Sequence, residues 1–111
     1  MVNKLRHVGI VVGDGQEAIK WYGELFNYYP LVFESVEIEG SWVHIAKLAH
    51  KDGTILELLD GATARPHISL SVNHLEFEAF KKEHDAEIFE KDGVCYIQDP
   101  WGNLIEIVEE I

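Results

Sequence analysis

At 111 residues and 47% hydrophobic content, the chain has enough apolar material to fold as one domain over residues 1–111. A formal net charge of −11, with Arg6 and Arg65 the only arginines, excludes a nucleic-acid partner and disfavours an anionic substrate unless a metal supplies local positive charge. No run approaches ~18 apolar residues, the opening MVNKLRH does not read as a signal peptide, and the single cysteine, Cys95, rules out an intrachain disulfide; these features point away from a membrane and towards a reducing cytoplasm.

Leu5 to Val12, rich in β-branched residues, reads as a strand. Asp14 and Glu17 have the spacing of a capping box, and Ala18, Trp21, Tyr22, Leu25 and Phe26 follow at helical intervals. A helix is expected from about Gly15 to Asn27, with its aromatic stripe in the core and Pro30 ending it. Extended segments follow at Leu31–Ile38, Trp42–His50 and Thr54–Leu59, with turns at Gly40 and Asp52-Gly53. Gly61-Ala-Thr-Ala-Arg-Pro66 reads as a hinge between two modules, about 1–62 and 63–111. The order then repeats: a strand at His67–Val72, and a short helix capped by Asn73 that carries Leu75, Phe77, Ala79 and Phe80. Strands near Glu87–Glu90, Val94–Gln98 and Leu104–Glu109 complete the second module. Each module is βαβββ, an α+β pattern, and Cys95 reads as a small buried hydrophobe.

The two modules echo each other in residue detail. His7-Val-Gly-Ile-Val-Val12 matches His67-Ile-Ser-Leu-Ser-Val72, and Asp52-Gly-Thr-Ile-Leu-Glu57 matches Trp101-Gly-Asn-Leu-Ile-Glu106. Strand alternation puts Val8, Ile10 and Val12 on one face and His7, Gly9 and Val11 on the other. Glu57 and Glu106 stand within apolar strands, where an unpaired charge costs on the order of several kcal/mol. Lysine and arginine are sparse nearby, so a divalent cation is the simplest compensation. Two imidazoles and two carboxylates make a neutral site with a 2+ ion, and leave positions for water or substrate. His44 and His50 share a face of the third strand and could line a pocket. His74 and His84 read as solvated.

These segments, with Trp21-Tyr22 in the first helix and Asp99-Pro-Trp-Gly-Asn-Leu-Ile-Glu106 near the end, resemble the vicinal-oxygen-chelate superfamily over about Leu5 to Glu109. That superfamily includes glyoxalase I, methylmalonyl-CoA epimerase, extradiol dioxygenases, and fosfomycin and bleomycin resistance proteins. The chain is nearest its glyoxalase I-like branch, although Val11 stands where glyoxalase I often carries an arginine. The resemblance implies two tandem βαβββ modules forming an open, cup-shaped, eight-stranded sheet. It implies one divalent metal ion (Ni, Zn, Co, Mn or Fe) on His7, Glu57, His67 and Glu106, and a homodimer. The implied activity is a lyase or isomerase of the glyoxalase I type. It would act on a small α-oxygenated carbonyl compound through an enediolate or enolate, with Glu106 and Glu57 as catalytic carboxylates. Ser69 and Trp101 could shape the pocket; otherwise Ser69 reads as an inert small residue and Trp101 as packing in its turn. The alternatives are a metal-free protein of the bleomycin-resistance type that sequesters a small hydrophobic ligand, and a resistance transferase or oxygenase.

Overall fold

The structure, a computed structural model, describes residues 4–83, 87–88 and 93–110. Its elements are β1 (Lys4–Val11), α1 (Gly15–Phe26), β2 (Tyr29–Ile38), β3 (Ser41–Ala49) and β4 (Ile55–Asp60), then β5 (His67–Val72), α2 (His74–Glu83), β6 (Glu87–Ile88), β7 (Val94–Gln98) and β8 (Leu104–Glu109). They fall into two units, His7–Pro66 and the stretch from His67 onward, to which the first residues of β1 also belong. The class is α+β, as expected. The expected count of eight strands needs correction. Seven strands have five or more residues, and β6 is a two-residue segment; residues 89–90 of the expected strand lie outside the described residues, as does His84.

In the first unit the strand order is β2-β3-β4-β1. β2 with β3 and β3 with β4 are antiparallel, whereas β1 runs parallel to β4. α1 starts at Asp14, whose side chain accepts the Glu17 N–H at 3.1 Å; among the described residues Glu17 makes no bond in return. The helix ends at Asn27, which adopts the left-handed conformation (φ 61°) and donates to the Gly23 carbonyl. Pro30 is therefore not the terminator, and lies within β2.

Ala18, Ile19 and Tyr22 of α1 pack on Ala46, Leu48 and Leu58, together with Ile10, Val12 and Leu56. The expectation that the whole aromatic stripe is core is corrected here. Trp21, Leu25 and Phe26 are 53%, 59% and 48% exposed. The apolar arc of α1 is wider than the strand surface it covers, and the outer part of the stripe packs ring on ring (Trp21–Phe26 centroids 5.5 Å).

The second unit has the order β5-β8-β7-β6, with β5 parallel to β8 and the other pairs antiparallel. Asn73 caps α2 by accepting the Glu76 N–H at 2.9 Å. Val72, Phe77, Cys95 and Ile107 form the core, flanked by Leu70, Phe80, Ile97 and Ile105. Burial pushes the Cys95 thiol up from its ordinary range, in keeping with an inert, structural cysteine. No helix among the described residues is long and apolar enough to cross a membrane.

The hinge is an ordered connection. Thr63 donates its hydroxyl to the Ile38 carbonyl at 2.8 Å. Gly61 has φ 155°, and a Cβ there would sit 2.6 Å from the Trp42 carbonyl oxygen. Only glycine fits this crossing. Gly61→Ala should therefore destabilise the protein by about 2 kcal/mol or more, lowering the thermal midpoint by on the order of 10 °C in a circular-dichroism melt.

Candidate metal centre

Sheet register explains why His7 and Glu57 meet. In the parallel β1–β4 pair, Gly9 is the partner of Glu57. His7, two residues before Gly9, points to the same face, away from α1. Gly9 contributes no side chain opposite the carboxylate, so the imidazole can lean over it. His7 Nε2 lies 3.3 Å from Glu57 Oε2, and the two residues are 7% and 6% exposed.

The donor chemistry of this pair suits a divalent ion. Ligand atoms each ~2.0–2.2 Å from a metal and about 3.3 Å apart subtend roughly 100° at the ion, an ordinary angle for tetrahedral or octahedral coordination. Imidazole nitrogen and carboxylate oxygen are the ligands that Zn, Ni, Co and Fe take.

The premise that basic residues are sparse around Glu57 needs one correction. The β3–β4 hairpin places Lys47 directly across from Glu57. Its turn includes the expected Asp52-Gly53 but spans three residues, 51–53, and is held by the Thr54 N–H on Asp52 (2.9 Å) and the His50 N–H on the Thr54 carbonyl (3.0 Å).

In the second unit His67 and Glu106 also share one face, away from α2. β5 and β8 pair His67 with Leu104 and Ser69 with Glu106. Glu106 is tightly held: Ser69 donates to Oε1 at 2.8 Å, and Tyr96, its partner across β7–β8, donates to Oε2 at 2.5 Å. A carboxylate oxygen has two acceptor positions, so one hydroxyl bond to each does not by itself exhaust the group. Ser69 is wholly buried, and as a donor to Glu106 it is not the inert small residue of one sequence reading. Sequence reasoning missed Tyr96. The signal was available, because the Asp99–Asn103 turn fixes which residue of β7 faces Glu106.

That turn is built around one carboxylate. Asp99 accepts the N–H groups of Trp101 and Asn103 at Oδ1, both at 2.9 Å, and the Asn103 amide at Oδ2 (2.8 Å). The Trp101 side chain is 83% exposed, so only its backbone serves the turn. The remaining histidines stand elsewhere. His44 and His50 alternate onto the opposite face of β3 from Lys47. There the Ser35 hydroxyl meets His44 Nδ1 at 2.7 Å, and His50 packs on the Tyr28 ring (5.4 Å). His74 Nδ1 lies 2.6 Å from Glu109.

Comparison with known proteins agrees with this architecture. The family model for the Glyoxalase/Bleomycin resistance protein/Dioxygenase superfamily matches residues 4–107. No curated protein matches in overall sequence. Among solved structures, methylmalonyl-CoA epimerase from Mycobacterium tuberculosis is similar at TM-score 0.70 and 20% identity, covering 96% of this chain and 87% of that one. A hypothetical protein from Bacillus halodurans is similar at TM-score 0.74 and 20% identity, covering 100% and 96%. A variant of Streptomyces coelicolor methylmalonyl-CoA epimerase, in complex with 2-nitronate-propionyl-CoA, is similar at TM-score 0.66 and 17% identity, covering 96% of each chain. At these identities the likeness is one of fold.

The turn that sets the Tyr96–Glu106 pairing can be tested by its charge. The hydrogen bonds from Asn103, and then those from the Trp101 and Gly102 backbone, hold the Asp99 carboxyl below the usual aspartate range. A lowered folded-state pKa means that its stabilising contribution is present above the ordinary aspartate value of about 3.9 and is lost as pH falls through the lower folded value. In a carboxyl NMR titration Asp99 should titrate below that ordinary value, and Asn103→Ala should move it back up. An unchanged midpoint in the variant would contradict the assignment.

Proposed function

Because the chain belongs to the Glyoxalase/Bleomycin resistance protein/Dioxygenase superfamily, we propose that it is a metal-dependent isomerase, epimerase or lyase for a small α-oxygenated carbonyl compound. The observation that carries the proposal is the buried His7–Glu57 pair at 3.3 Å, a carboxylate and an imidazole facing each other within an apolar sheet. Such a pair is costly to bury unless a counter-charge completes it. The proposed ligands are His7, Glu57, His67 and Glu106, one His and one Glu from each of two tandem βαβββ modules. The ion is one of Ni, Zn, Co, Mn or Fe. The proposal includes a cytoplasmic homodimer.

A divalent ion at this site supplies Lewis-acid polarisation of two adjacent substrate oxygens. The chain's own residues do the rest. Glu106 moves the proton at the carbon next to the carbonyl, with Ser69 and Tyr96 fixing both of its oxygens so that it stays aimed. Glu57 is the second carboxylate and is positioned by the β1–β4 register. Val43, Ala49 and Leu59, buried on the same face as Glu57, keep water from the reacting centre. The epimerases of similar fold support proton transfer next to a carbonyl as the reaction type. The glyoxalase I reaction is the narrower form of the same proposal.

Titrating purified protein with Ni, Co, Zn and Mn should show one ion bound per chain and a rise in melting temperature. Glu57→Gln should weaken that binding by about tenfold or more. Glu106→Gln should lower turnover by roughly 10²–10⁴-fold, in a hemithioacetal assay or by solvent deuterium exchange at the substrate carbon. Full activity in Glu106→Gln would remove it as the base. Absence of any bound ion or thermal shift would instead favour a metal-free binding protein for a small hydrophobic ligand.

A further inference from the structure

We propose that Lys47 is the residue that selects a negatively charged ligand at the Glu57 site, so that the favoured substrate is an α-oxygenated compound carrying a carboxylate. The inference rests on the functional reading above for where the ligand sits.

Lys47 pairs with Glu57 on β4 and with Val32 on β2. Directly opposed residues of an antiparallel pair have Cβ atoms about 4.5–5.5 Å apart and share a face. Lys47 is half-buried, and strand register puts it on the same face as Val32, Ile45 and Ala49. Its amine is nonetheless not consumed by Glu57. Among the described residues Lys47 forms no ion pair, and the carboxylate of Glu57 lies against His7. An ammonium with no anion, on the strand face that carries the proposed site, is an open electrostatic position.

Composition makes that position distinctive. Lys4 and Arg6 alternate onto the opposite face of β1, Lys20 lies on α1, Lys51 lies in the β3–β4 turn, and Arg65 lies outside the strands, exposed, in the connection after β4. Among the described residues of the first unit, Lys47 is thus the only lysine or arginine on the strand face that carries His7 and Glu57. In a chain of net charge −11, anions are repelled at long range, and a local cation is what admits one. Glu34, on the same face, is exposed and pairs with Ile45, so Glu57 is the acidic residue directly opposite Lys47 in the register.

The test compares wild type, Lys47→Gln and Lys47→Arg by calorimetry. Ni²⁺ alone is titrated first, followed by oxamate or oxamide, which both present two adjacent oxygens and differ by one negative charge. Lys47→Gln should bind Ni²⁺ as tightly as wild type or up to about tenfold tighter, because a like charge is removed. Wild type should prefer oxamate over oxamide by about tenfold, Lys47→Gln should lose most of that preference, and Lys47→Arg should keep it. The proposal is overturned if wild type shows no preference, if Lys47→Gln keeps it, or if Lys47→Gln binds Ni²⁺ more weakly. Should Ni²⁺ not bind at all, the same titrations in metal-free protein decide. A Lys47-dependent preference there supports the proposal while removing the metal reading, and no binding of oxamate overturns both.

Discussion

A carboxylate that is 6% exposed within an apolar sheet must have a compensating partner, and the layout of the first unit follows from that requirement. Glu57 is flanked on one side by β1 and on the other by β3. The parallel neighbour β1 presents glycine at the register position and an imidazole two residues away. The antiparallel neighbour β3 presents Lys47. Register therefore sets the carboxylate between an imidazole on β1 and a lysine on β3, on a face of mainly valine, leucine, isoleucine and alanine that also carries the exposed Glu34 on β2. Such groups are expensive to assemble unless a ligand or ion uses them.

The second unit solves the same problem by other means. Glu106 is held by two hydroxyls, Ser69 across the parallel β5–β8 pair and Tyr96 across the antiparallel β7–β8 pair. Hydroxyl donors orient a carboxylate without adding a charge. Glu57 has an imidazole beside it and a lysine opposite. The two acids, at equivalent places in an echoed sequence, thus have different surroundings. Different surroundings are how one fold assigns different roles to like residues. The division of labour proposed above, with Glu106 moving the proton and Glu57 as the second carboxylate, rests on that difference.

Much of this was legible without coordinates. The His and Glu of each half, the faces they occupy, the Asp14 and Asn73 caps, the Asp52-Gly53 turn and the burial of Cys95 all follow from periodicity and turn chemistry. Tyr96 was implied by its hairpin, because counting back from the Asp99–Asn103 turn pairs it with Glu106. Lys47 was not, because a two-residue Asp52-Gly53 turn would pair it with Leu58; the three-residue loop 51–53 shifts the register by one and brings it opposite Glu57. Neither residue recurs in the other half, so the internal repeat that marks the His and Glu positions does not mark Lys47 or Tyr96.

The outer part of α1 was not legible, because helical spacing states which residues share a face but not how much sheet lies beneath it. Trp21, Leu25 and Phe26 satisfy the same period as Ala18 and Tyr22, yet only the latter pair reaches the core. Likewise, a strand-forming pattern near Glu87 does not state how far pairing extends, and the described pairing stops at Ile88. The sequence by itself determined the α+β class, the strand faces and the residue types available for chemistry, because alternation and turn geometry are local properties of the chain. Only tertiary structure decided which donor each carboxylate meets, because strand order and the parallel register of β1 with β4 and of β5 with β8 join segments distant in sequence. No local rule fixes how those segments pair.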